Sequence, residues 1–119
     1  MHMANGESLF GIHGAALTLR SQRLNLLASN IANAATPGYR ARDSDFDRAL
    51  SLASRGYGAD RAANEAVAYR VPITPSIDGN TVELSTEQTL FAENAVQYRT
   101  TLAFLEGRIG TLKRALKGE

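Results

Sequence analysis

Phe91, Ala95, Tyr98, Leu102, Leu105, Ile109, Leu112 and Leu116 follow one another at alternating spacings of four and three within FAENAVQYRTTLAFLEGRIGTLKRAL, residues 91–116. Every one of these positions is apolar, and the spacing is the a/d repeat of a coiled-coil seam. A helix with a single narrow apolar stripe needs partner helices to cover it. The stretch therefore points to assembly rather than to chemistry. Just upstream, Ser85 and Gln88 have the spacing of a capping box, which predicts a helix from about Thr86 to Lys117, roughly 48 Å long. Glu87 and Glu93 near its start, and Arg108, Lys113, Arg114 and Lys117 near its end, match the helix dipole. Gly118 is placed to terminate it.

A second helix is predicted from about Glu7 to Ala35. Phe10, Leu17, Leu24 and Ile31 recur every seven residues, joined on that face by Leu27. Leu9, Ile12, Ala16, Leu19 and Leu26 populate an adjoining face. So broad an apolar surface belongs to a helix that touches several neighbours. Two arrangements fit and are compatible: an antiparallel hairpin with the seam helix of the same chain, and packing against other copies through the second face. Gly11 and Gly14 each weaken the first turns by about 1 kcal/mol against Ala. Together with the surplus apolar face, they suggest terminal segments that order fully only on assembly.

Between the helices, Pro37 forces Thr36 out of the α region, and Pro37-Gly38 suits the centre of a type II turn. Asp43-Ser44-Asp45-Phe46 can cap a short helix carrying Phe46, Ala49, Leu50 and Ala53. Residues 55–80 have no useful periodicity and read as a mobile loop, with a short extended piece near Ala68–Ile73. The expected fold is mainly α: two long terminal helices packed as an antiparallel hairpin or coiled coil, joined by a largely irregular, flexible middle with one short helix. The divisions are 1–3 (a cloning scar and start), 4–35 (N-terminal helix), 36–84 (turn, short helix and linker) and 85–119 (heptad helix).

Composition removes whole classes of function. The 119 residues carry thirteen basic and twelve acidic side chains, a net charge of +1, so no general attraction to nucleic acid or anionic membrane is expected. Arg20, Arg23, Arg40 and Arg42 lie in a run free of acids from Ser8 to Arg42, a pattern more typical of a solvated helix side than of a nucleic-acid site. There is no cysteine, hence no disulfide, thiolate site or Cys nucleophile. No apolar run reaches the roughly 18 residues of a membrane span, and no signal-peptide pattern opens the chain. His13 sits beside Leu17 on a helix face, where packing is expected rather than catalysis. Asp43, Asp45 and Asp47 lack the glycine and later ligands of a calcium loop. No enzyme, cofactor or metal site is expected.

The most specific stretch is Leu27-Ala28-Ser29-Asn30-Ile31-Ala32-Asn33-Ala34-Ala35-Thr36-Pro37-Gly38-Tyr39-Arg40. It resembles the signature of the bacterial flagellar rod and hook proteins, whose N-terminal helix ends in Ser-x-Asn-Ile-Ala-Asn-x-x-Thr-Pro-Gly-Tyr. Arg40-Ala41-Arg42-Asp43 with Phe46, Asp78-Gly79-Asn80-Thr81-Val82, Phe91-Ala92-Glu93-Asn94 running to Tyr98, and Leu102-Ala103-Phe104-Leu105 with Gly107 extend the likeness. The short middle, and the lack of an Arg-Ala-Tyr-Gln-like motif in the last helix, resemble the small proximal rod subunits in particular. Residues 55–68 match no pattern of the family.

The resemblance implies a structural subunit, exported unfolded through the flagellar type III apparatus without signal cleavage and assembled in the periplasm. Implied partners are other copies, the other proximal rod proteins and the adaptor joining rod to membrane ring; the implied task is transmission of motor torque. The expected assembly interface comprises Leu17, Leu24, Asn30, Ile31, Asn33, Phe91, Tyr98, Leu102, Leu105, Ile109, Leu112 and Leu116. Asn30 is expected at a contact between subunits, while Asn33 could equally cap its own helix. Thr36, Pro37, Gly38 and Tyr39 form the turn, with Tyr39 and Phe46 anchoring the next segment. The rival is a soluble helical hairpin serving as adaptor or chaperone-like binder in a secretion system.

Overall fold

The computed structural model describes the backbone of residues 5–73 and 75–118, with side chains from Gly11 onward. The element order is α1 (Asn5–Ala32), β1 (Arg42–Ser44), α2 (Phe46–Ser54), α3 (Ala59–Ala66), β2 (Val67–Tyr69) and α4 (Leu84–Leu116). The two long helices form an antiparallel pair. Contacts run His13 to Phe104, Arg20 to Gln97 and Asn30 to Glu87, so each step up α1 is matched by one step down α4. The molecule measures 64 × 30 × 18 Å with a radius of gyration of 17.7 Å. A compact chain of this length would have about 13.5 Å, so the shape is that of a rod.

The middle of the second apolar face of α1 is covered by its own chain. Leu19 is buried with Ala49 of α2 and Ala62, Ala63 and Ala66 of α3, flanked by half-buried Phe46, Leu50 and Tyr57. The surplus face expected above is therefore smaller than the sequence suggests: Ala16 and Leu19 are buried and Leu26 half-buried, Ile12 stays 43% exposed, and Leu9 lies outside the described side chains. The small side chains matter here: alanines let α3 approach the α1–α2 pair closely.

The middle is also more ordered than its sequence suggests. Residues 59–69 form α3 and β2, where a mobile loop was expected. β2 pairs antiparallel with β1, with Arg42 opposite Tyr69 and Ser44 opposite Val67. Asp45 N to Ala66 O and Arg70 N to Ala41 O extend the ladder at either end. Ala59, Ala62, Ala63 and Ala66 of α3 recur at i, i+3, i+4 and i+7, with Asp60, Arg61, Asn64 and Glu65 between them, so this helix is amphipathic over its short length and its alanine face is the buried one.

Several local expectations match. Asp45 caps α2 through Arg48 N, with Asp47 in the first turn. Tyr39 N bonds Thr36 O, and Gly38 has a φ of 75°, as a type II turn requires. Gly118 ends α4 at a φ of 76°. Two do not. Helix α1 ends at Ala32, three residues early, in turns closed by Asn33 N to Ser29 O and Ala34 N to Ile31 O. No Ser85–Gln88 capping box forms; α4 begins at Leu84, with Glu83 as its N-cap residue and no side-chain cap bond. Among the described residues, no helix is long and apolar enough to cross a membrane, and no cluster could hold a metal ion.

Candidate functional site

At one end of the helix pair lies a polar clasp built around three fully buried side chains, Asn30, Glu87 and Asn94. A buried carboxylate is tolerable only when its oxygens are paired, and those of Glu87 are. Arg70 Nε donates to one oxygen at 2.6 Å; Asn30 Nδ2 donates to the other at 2.9 Å. Arg70 then reaches Asp43 at 3.0 Å, and Asp43 takes a two-pronged contact from Arg23 at 2.8 and 2.9 Å. One continuous network therefore joins α1, β1, the end of β2 and α4. Burial opposes the charge on Asp43, but hydrogen bonds from Arg23 and then Arg70 outweigh it and hold the carboxyl below its usual range. Arg23 is held above its usual value, chiefly by the same bond to Asp43. Burial works against Arg70 too, yet Glu87 and Asp43 hold it protonated, above its usual range.

Asn30 acts as a bracket. Its amide accepts from Arg42 N at 3.1 Å and donates to Arg42 O at 2.7 Å, so it binds that residue as a neighbouring strand would. Tyr39 donates to the same Asn30 oxygen and shares a hydrogen bond with Ser29. Asn80 lies beyond the end of α1: its Nδ2 donates to the carbonyls of Asn33, Ala34 and Thr36 at 3.0, 3.1 and 2.7 Å. These carbonyls belong to the turns that follow α1, and those of Asn33 and Thr36 also accept from Thr36 N and Tyr39 N, so Asn80 braces the turns rather than the helix itself. Gly38 N donates to Asp78 O, and Gly79 approaches Gly38 closely enough that an added Cβ would sit 3.6 Å from its Cα. Deeper along the pair, Asn94 Nδ2 donates to Arg20 O at 2.8 Å, while Arg20 lies over the Phe46 ring at 3.8 Å.

The other end of the pair is apolar and open. Seam residues Phe91, Tyr98, Leu102 and Leu105 are half-buried, but Ile109, Leu112 and Leu116 are 40%, 49% and 80% exposed. On α1, Leu17, Leu24 and Ile31 are half-buried beside the fully buried Leu27. Asn33 binds its own helix through Nδ2 to Ser29 O and takes Thr36 Oγ1 on its own oxygen. Asn30, expected at a subunit contact, instead lies wholly inside the chain with its bonds internal. The deepest residues on the first half of α4 are Glu87 and Asn94, the first four places before the start of the expected seam at Phe91 and the second one place before Ala95. The helix is turned slightly there to bring polar groups inward.

Asp43, Asn80, Glu87 and Asn94 were read from the sequence only as cap, dipole or motif residues, Arg70 not at all, and none of the five was expected in a buried network. For Asn94 and Glu87 the available signal was a polar residue next to the apolar seam. Arg70 and Asp43 gave none, because their partners lie 17 and 20 residues away or more.

The sequence profile of the family described as "Flagella basal body rod protein" matches residues 10–40, which span most of α1, the turn and the approach to β1. The flagellar basal body rod protein FlgB of Cereibacter sphaeroides is 52% identical, over 98% of this chain and all of that protein. The chain belongs to the FlgB family. The likeness persists at greater distance: FlgB of Aeromonas hydrophila is 41% identical over 95% of this chain and 96% of its own length. FlgB of Escherichia coli is 40% identical over 86% and 88%. Within the matched residues, Asn30 ties β1 and α4 to α1 through Arg42 and Glu87, and Tyr39 braces Asn30 from the turn.

Proposed function

We propose that this chain is a structural subunit of the flagellar proximal rod, joining other copies and neighbouring rod proteins through its terminal helices to form the shaft that carries motor torque. The observation that supports this best is the division of one helix pair into two ends. The clasp fixes the angle and register of α1 and α4 through buried, mutually satisfied charges. Beyond Leu105 the same α4 stripe continues with Ile109, Leu112 and Leu116 exposed. A rigid pair with an unfinished apolar seam is a part suited to close packing with others. The carboxylates of Glu87 and Asp43 are taken up by Arg70, Arg23 and Asn30 within the chain. On this reading the subunit leaves the cell interior through the flagellar export apparatus without signal cleavage. It assembles in the periplasm against itself, the other proximal rod proteins and the adaptor that joins rod to membrane ring.

The test is complementation of a motile strain lacking its own FlgB. The unaltered chain should restore basal bodies and swimming. The variant Leu112→Glu with Leu116→Glu should keep wild-type helicity and thermal midpoint yet fail to restore swimming. Full swimming by that variant would overturn the role given to the distal stripe. Failure of the unaltered chain to enter basal bodies, despite secretion and folding, would overturn the rod assignment and leave the soluble adaptor reading.

A further inference from the structure

Between β2 and α4 the chain carries three branched aliphatic side chains into solvent: Val71 is 85% exposed, Ile73 87% and Ile77 fully so. Two prolines, Pro72 and Pro75, interrupt this segment, removing backbone donors and favouring an extended chain. Isolated exposed aliphatics are ordinary, but three within seven residues, with no charge among them, form a patch. The segment is tied to the clasp end of the molecule. Asp78 O accepts from Gly38 N, and Glu83, the N-cap residue of α4, accepts from Ile73 N.

Charge along this part of the chain is strongly divided. From Val71 to Tyr98 there is no Lys or Arg, and the acids are Asp78, Glu83, Glu87 and Glu93. Glu87 is neutralised internally by Arg70; the other three are free of ion pairs among the described residues. From Arg99 to Gly118 the balance reverses, with Arg99, Arg108, Lys113, Arg114 and Lys117 against Glu106 alone. Those basic residues border the exposed Ile109, Leu112 and Leu116. The basic group next to the aliphatic segment is Arg70, taken up by Asp43 and Glu87; one residue further back, Arg40 lies over the Tyr69 ring at 4.1 Å and Arg42 stands opposite Tyr69.

We propose that Val71, Ile73 and Ile77 of one copy seat on the Ile109–Leu112–Leu116 stripe of a second copy, with Asp78 and Glu83 facing Arg108, Lys113 and Arg114. This rests on the assembly reading above and specifies which surfaces meet. Charge complementarity selects a second copy, because acid-flanked and base-flanked apolar patches occur on the same molecule at opposite ends. Along α4 the two lie about 44 Å apart, counting from Glu83 to Leu112 at 1.5 Å per residue, so one chain cannot satisfy itself. Two different patches on opposite ends make a head-to-tail contact, which propagates into a ring or helical array, whereas a self-complementary patch stops at a dimer.

The chain has no cysteine, which makes disulfide trapping clean. The full chain carrying both I73C and L112C should give a ladder of oligomers under mild oxidation. An equal mixture of the two single variants should stop at dimers, at several-fold higher yield than either single alone. Both sites are exposed, so folding should be unaffected. Glu83→Lys added to I73C should cut the mixed yield several-fold, and Arg114→Glu added to L112C should restore it, a rescue that a folding defect would not show. Cross-linking of I73C to itself at equal yield would overturn the head-to-tail geometry. Absence of cross-links at concentrations where the unaltered chain self-associates in sedimentation would overturn this contact and spare the assembly reading. Absence of both would sink the two together. Trapping only when a different rod subunit is added would overturn the choice of a second copy.

Discussion

The clasp end and the open end of the α1–α4 pair are made from the same two helices, yet they solve opposite problems. At the clasp, Glu87 and Asn94 lie fully buried and Arg70, Asp43, Arg23 and Asn30 satisfy one another. At the open end, His13 lies tilted against Phe104 at 4.6 Å between ring centres, and beyond it α4 keeps its apolar stripe in the open. By the one-for-one register, Leu112 falls level with Asn5, the first residue of α1. The comparison teaches that geometry and adhesion are separated here. Directional polar bonds set one arrangement of the helices, because a misregistered pair would strand buried charges. Apolar contacts, which tolerate sliding, are kept for the surface.

That contrast can be broken most sharply at Glu87. Glu87→Ala leaves Arg70 and Asn30 without their buried partner and should cost about 3–5 kcal/mol, read as a large drop in the urea midpoint. A matched pair of leucines then tests the two ends with one chemistry. Leu27→Ala, at a side chain with no exposure, should cost about 2–5 kcal/mol through lost burial and a cavity.

Acid should loosen the clasp first. The Asp43 carboxyl titrates below its unfolded value, so the unfolded chain binds more protons in that range and stability rises with pH there. The contribution is complete above the unfolded carboxylate value near 4 and is lost as pH falls through the lower folded value. Thermal midpoints taken from pH 6 down to 2.5 should fall in that acid window, and Asp43→Asn should flatten the slope. The smallest effect belongs to the second leucine: Leu116→Ala, 80% exposed, should change the unfolding free energy of the free subunit by no more than about 0.5 kcal/mol. An equal cost for Leu27→Ala and Leu116→Ala would erase the distinction between the ends.

Much of this was legible beforehand, for identifiable reasons. The seam from Phe91 to Leu116 and the heptads of α1 advertise long helices because their apolar residues are large and periodic. Asp45 and Thr36-Pro37-Gly38 act through local backbone geometry, so their cap and turn follow from a few adjacent residues. Helix α3 was legible in principle and was missed: Ala59, Ala62, Ala63 and Ala66 stand at helical spacing, but two turns of small side chains are easily passed over as loop beside the large residues of the long helices. Asn30 was legible as special but not for the right surface. Its spacing marks a polar residue near a helix end, while its partners, Arg42 and Glu87, are 12 and 57 residues away.

By itself, the order of residues determined the two long helices, where the first of them turns, and the family to which the chain is similar. Each depends on interactions within a few residues or on a fixed motif. Only the tertiary structure decided that Ala16 and Leu19 on the second face of α1 are covered from within, and that Asn30, Asp43, Arg70 and Glu87 form one network. Burial and charge pairing are set by distance in space, and a linear pattern does not encode which distant groups will be brought within 3 Å of each other.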